Sequence, residues 1–173
     1  MEMKSNLSIQ KQTKKLSARD ITIMALMVAI IEACKVAIAQ IPNVELTSFW
    51  IIMFTLYFGT RIFYVIPVFI LIEGMIYGFG LWWVMYLYAW PILAIVVLMC
   101  KKMNSAWEWS MVSGFYGLSF GFLCAIPYIF TSGIFGAFTW WIAGIPWDLV
   151  HGVFNFIIML VLYEPMKIVM QKL

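Results

Sequence analysis

Asp148, His151 and Asn155 are spaced i, i+3 and i+7, which lines them along one face of a helix. They interrupt a stretch that is otherwise almost wholly apolar, and Gly152 leaves open space beside them. A carboxylate, an imidazole and a carboxamide together offer both donors and acceptors to a ligand. Each also has a plainer reading: Asp148 in a first helical turn favours the helix dipole without further purpose, and His151 alone suits a packed core. Glu73 and Tyr77 form a second polar pair at i, i+4, and Glu45 sits in a short connection near Asn43. Glu32 and Lys35 are i, i+3 within another apolar run, so they are expected to face the interior, paired with each other or lining a wet cavity.

The chemistry these groups point to is binding rather than catalysis. Ser113-Gly114 follows Met111-Val112, so no Gly-x-Ser-Gly nucleophile pattern of the intramembrane serine proteases is present, and His151 has no evident Ser or Cys partner. Cys34, Cys100 and Cys124 are isolated, with neither CxxC spacing nor His neighbours, and read as small buried hydrophobes. No catalytic residue, metal or cofactor is expected, and an enzyme is the less favoured class.

The elements that must hold these residues lie in a membrane. The chain of 173 residues is 65% hydrophobic and only 11% charged, with a mean hydropathy of +0.97, against about 25% charge in a soluble domain. Ten of the eleven Lys and Arg residues, all but Lys35, fall at Lys4 to Arg19, Arg61, Lys101-Lys102 and Lys167 to Lys172. Between them lie apolar stretches broken near the middle by segments without basic residues, Ile41–Thr47, Gly78–Leu81 and Tyr128–Trp140. Basic residues gather on the cytoplasmic side, so the pattern predicts three out-and-back hairpins. The expected architecture is an all-α integral membrane protein, a bundle of six transmembrane helices with both termini cytoplasmic. It divides into a basic cytoplasmic arm over 1–17, not a cleavable signal, and a transmembrane substrate-binding domain over 18–173. The net charge of +3 follows from this topology and gives no support to nucleic-acid binding.

Expected spans are Asp20–Gln40, a short Leu46–Phe58 preceded by a connection that dips into the bundle, Ile62–Tyr77 kinked at Pro67, Leu81–Cys100, Trp107–Ile126, and a last span from Pro146 to near Glu164. A long connection rich in glycine and aromatics is expected from Pro127 through Gly144. Ala25, Ala29, Ala33 and Ala37 recur every fourth residue, a stripe that lets another helix approach closely. If Glu32 and Lys35 look inward, this stripe looks outward. Aromatic residues crowd the outer level, among them Trp82, Trp83, Tyr86, Trp140 and Trp147, beyond what a symmetric interfacial belt requires. Such rings can wall a pocket for a flat or bulky organic ligand.

In these features the chain, over residues 16–173, resembles the substrate-binding (S) components of energy-coupling factor vitamin importers. The likeness rests on size, six spans, basic inner loops, the Ala25/Ala29/Ala33 stripe, Pro42-Asn43-Val44-Glu45-Leu46, and Gly144-Ile145-Pro146-Trp147-Asp148 leading to His151 and Asn155. The resemblance implies a membrane-embedded subunit of the bacterial plasma membrane that captures a vitamin-like small molecule from outside. It implies docking through Ala25, Ala29 and Ala33 on a transmembrane coupling protein, itself seated on two cytoplasmic ATPases. It implies ligand contacts from Asn43, Glu45, Trp82, Trp83, Tyr86, Trp140, Trp147, Asp148, His151 and Asn155. Independently, the chain holds no G-x-x-x-x-G-K-[ST] phosphate loop, so accumulation of a nutrient needs energy from a partner. A stand-alone facilitator or channel is the alternative, and it would require a continuous polar path.

Overall fold

The computed structural model describes residues 16–172. The expected arm therefore lies almost wholly outside the described residues, along with Lys4, Lys11, Lys14 and Lys15. Long apolar runs can satisfy their backbone only internally, and among the described residues the fold is all-helical. The helices are α1 (Ala18–Ala37), α2 (Thr47–Phe58), α3 (Ile62–Tyr77), α4 (Leu81–Met99) and α5 (Ala106–Met170), with a 3-10 turn over Gly59–Arg61. By length and composition three stretches can cross a membrane: Thr47–Tyr77, Leu81–Met99 and Ala106–Met170. At 20 residues α1 is long enough, but it carries Arg19, Asp20, Glu32 and Lys35.

The start of α1 is fixed by a reciprocal cap. The Ser17 hydroxyl accepts from the Asp20 N–H at 3.2 Å, and the Asp20 carboxylate accepts from the Ser17 N–H at 3.0 Å. Asp20 Oδ1 also meets Arg61 Nη2 at 3.0 Å. The helix stops at Ala37, three residues before the expected Gln40. Pro42 lacks an N–H, and Asn43 adopts a left-handed backbone (φ 56°), a conformation Asn tolerates better than most residues. Next comes α2, the most enclosed helix, with Phe49, Ile51, Ile52, Met53 and Phe54 all buried. Apolar side chains on every side suit this central position.

Paired contacts set the directions. Asp20 with Arg61 and Lys35 with Glu73 make α1 and α3 run the same way. The Trp83 indole N–H donates to the Ile70 carbonyl (2.9 Å), and Phe69 stacks on Tyr86, so α4 returns alongside α3. The Tyr116 hydroxyl donates to the Ala89 carbonyl at 2.9 Å, which lays the first part of α5 along α4.

At 65 residues a straight α5 would extend about 98 Å. It does not run straight: Gly133 takes φ 72° and ψ 174°, outside the helical region, and the chain doubles back there. Gly117 and Gly152 then face each other so closely that a Cβ on Gly117 would stand 2.8 Å from the Gly152 Cα. Small residues permit this approach of two backbones. The long connection expected over 127–144 is thus replaced by helix on both sides of one glycine. Pro127 leaves the Leu123 carbonyl without its usual helical N–H donor. The Tyr88 hydroxyl donates to that carbonyl at 2.7 Å, so the helix passes through Pro127 without an orphaned acceptor.

The same contacts gather charge at one end. Arg61 meets Asp20, the Tyr57 hydroxyl donates to the Lys167 carbonyl, and Lys167 Nζ donates to the Asn104 side chain beside Lys101 and Lys102. The opposite end holds residues 38–46, residues 78–80 and Gly133. The buried core includes Ile31, Ile52, Ile66, Leu93 and Met159. Large apolar side chains such as Leu26, Val68, Leu71, Met75, Phe115, Phe130, Phe135 and Val161 cover the outside. So extensive an apolar exterior, on long apolar helices, is compatible with a membrane protein.

Candidate functional site

At the end opposite the basic cluster, the close of α1, the 38–46 connection, the close of α3 and the start of α4 border an open cavity of about 410 Å³. This falls in the range of small-molecule sites. Asn43, Glu45, Glu73, Tyr77, Trp82 and Tyr86 line it, residues drawn from three separate segments of the sequence. Lys35, Ile38, Ala39, Ile41, Pro42 and Val44 complete the wall.

The charged groups come from both sides of this wall. Lys35 Nζ pairs with Glu73 Oε2, and Glu73 is fully buried. The ammonium also stands 5.2 Å from the Tyr86 ring centroid, 5.4 Å from Tyr77 and 5.9 Å from Phe69. Those distances are within cation–π range. Of the two alternatives expected for Lys35, the cavity is the one met: Lys35 lines it, and its ion pair is with Glu73 rather than Glu32. Lys35 reaches across to α3, while both Glu32 carboxylate oxygens are buried without a hydrogen-bond partner. Glu73 Oε1 is likewise buried and unpartnered.

Glu45 joins two elements. Its Oε2 accepts from the Ser48 N–H at 2.8 Å, which caps α2, and its Oε1 lies 3.2 Å from His151 Nε2. The His151 ring is set edge-on against Phe120, with centroids 5.0 Å apart. His151 thus supports the cavity wall through Glu45 rather than lining it.

The other expected ligand contacts lie elsewhere. Asp148 is buried between the two halves of α5, where its Oδ1 accepts from the Gly121 N–H at 2.9 Å. Because Gly121 has no Cβ, that carboxylate can lie directly on the helix. Asn155 is buried below His151 with its Nδ2 unpartnered. Trp83 spends its indole N–H on Ile70 and packs on Phe79, away from the cavity. Trp140 stacks on Tyr128 at 4.6 Å, and Trp147 is 55% exposed on the outer surface. Their aromatic character answers to the surroundings of the helix, not to the cavity.

Ala25, Ala29 and Ala33 are exposed on the face of α1 turned away from the core residues Met24, Met27, Val28 and Ile31. Lys35 also lines the cavity, although the sequence pattern places it only on an inward face and not among the ligand contacts. Its solitary position among eleven basic residues was the available signal. Ser48 and Phe120 carried none, because one acts through its backbone and the other is a ring among many.

Comparison of the chain with protein-family models, with curated proteins and with solved structures finds no match.

Proposed function

We propose that the chain is the membrane-embedded substrate-binding subunit of an ATP-driven importer of the energy-coupling factor type, taking a vitamin-like small molecule from outside the cell. The observation that carries this reading is the cavity beneath the 38–46 connection, walled by Lys35, Glu45, Glu73, Tyr77, Trp82 and Tyr86 and placed at the end away from the other described basic residues. With basic residues inside, that end faces outward. The reading takes six crossings of a bacterial plasma membrane, with both termini cytoplasmic. Its support is the turn with Arg61 between α2 and α3 and the reversal of α5 at Gly133. At 12 residues, or about 18 Å, α2 falls short of a bilayer's hydrocarbon core of about 30 Å. The partly buried 38–46 connection completes the crossing, and non-helical backbone is tolerated at that depth because it lines a cavity.

Partners are part of the proposal. The exposed alanine stripe of α1 is the contact for a transmembrane coupling protein, which in turn carries two cytoplasmic ATPases. A stand-alone facilitator fits less well, since the core is built largely of buried apolar side chains, among them Ile52, Ile66, Leu93 and Met159. The test is uptake in vesicles. A small molecule retained by the purified protein should accumulate only when coupling protein, ATPases and ATP are all present. Equal, ATP-independent equilibration by this chain alone would overturn the proposal in favour of a facilitator.

A further inference from the structure

The polar lining of the cavity is unbalanced. Lys35 is its one cationic side chain, and Glu45 and Glu73 are its acids. Lys35 is committed to Glu73 Oε2, and Glu45 is held by Ser48 and His151. Glu73 Oε1 remains fully buried, unpartnered and part of a residue that lines the cavity. An ionised carboxylate oxygen can only accept, so its missing partner must be an N–H or O–H donor, and a charged donor binds most strongly. The rings of Tyr77, Tyr86 and Phe69 already surround one ammonium, that of Lys35, and present π faces to positive charge. An anionic ligand would meet the reverse: acidic oxygens, ring faces and a lysine whose charge is already taken.

Resting on the reading of this cavity as a small-molecule site, we infer that its ligand is a flat organic cation, a nitrogen heteroaromatic or amidine-like group whose N–H donors pair with Glu73 Oε1 among the Tyr77, Trp82 and Tyr86 rings. The cation adds a second positive group beside Lys35, so Glu73 is shared between them.

Three probes that share one ring and differ in charge test this: benzamidinium, neutral benzamide and anionic benzoate. Binding of each to the purified full chain is read by calorimetry and by quenching of tryptophan fluorescence. Benzamidinium should bind about ten-fold more tightly than either of the others. Glu73→Gln should bring benzamidinium and benzamide to near parity. The ranking on the wild-type protein stands whether or not Glu73→Gln folds. Benzoate binding as tightly as benzamidinium, or no binding of benzamidinium, overturns the inference. The two ideas fail separately. Coupled uptake of a neutral or anionic compound would leave the importer reading intact and remove the cation, whereas cation binding without coupled uptake would do the opposite.

Discussion

Lys35→Met should be among the most damaging single substitutions in the chain. It removes the ammonium from Glu73, whose side chain has no exposed surface, while that of Lys35 is 25% exposed. Removing one partner of a buried pair costs about 3–5 kcal/mol because the other charge is stranded. Water reaches Lys35, which places the loss near the bottom of that range, about 3 kcal/mol. For a protein of this length, about 3 kcal/mol corresponds to a fall in Tm of about 6–12 °C. Glu73→Met should cost less, since the lysine can turn toward water. The double variant Lys35→Met/Glu73→Met should return to within about 1 kcal/mol of wild type, because apolar side chains of similar volume replace a buried pair at little or no cost. Thermal and denaturant unfolding in detergent, followed by the fluorescence of the nine tryptophans, gives all four corners of this cycle. A double variant whose loss equals the sum of the single losses would refute the pairing and return Lys35 to Glu32 or to solvent.

Two further outcomes follow from the proposed topology and function. Single cysteines at Asn43, Gly80 or Gly136, in a background lacking the three native cysteines, should react with an impermeant thiol reagent on intact cells, and one at Asn104 should not. The reverse pattern would invert the topology. Ala29→Trp or Ala33→Trp should abolish coupled uptake while leaving ligand binding to the isolated protein intact, since a ring on that face holds a partner helix away; loss of binding and folding in both would place the stripe inside the bundle.

Helical class, the breaks between apolar runs and the charge asymmetry were legible because they depend on residue type along the chain. So was the polar connection at Asn43 and Glu45, where proline and asparagine end one helix and an acid starts the next. The i, i+4 pair of Glu73 and Tyr77 reached the cavity for a similar reason: helical spacing alone puts both on one face. What could not be read was which face. The Lys35 partner lies 38 residues away on α3, while the local Glu32 offered the more obvious spacing. Trp140 and Trp147 have the composition of a pocket wall and the position of an outer surface. The passage of α5 through Pro127 depends on a hydroxyl from Tyr88, 35 residues distant, which no local rule supplies. Asp148, His151 and Asn155 do share a helix face, yet only the Phe120 and Glu45 contacts show His151 acting through a neighbour.

The central claim is that the cavity under residues 38–46 holds a small organic molecule. Mass spectrometry of compounds released from purified wild-type protein, set beside Trp82→Ala and Glu73→Gln prepared identically, tests it most directly. The account predicts one compound in near-stoichiometric amount from wild type, reduced in both variants. Wild-type protein that releases nothing, or variants that release the same compound in the same amount, would contradict it.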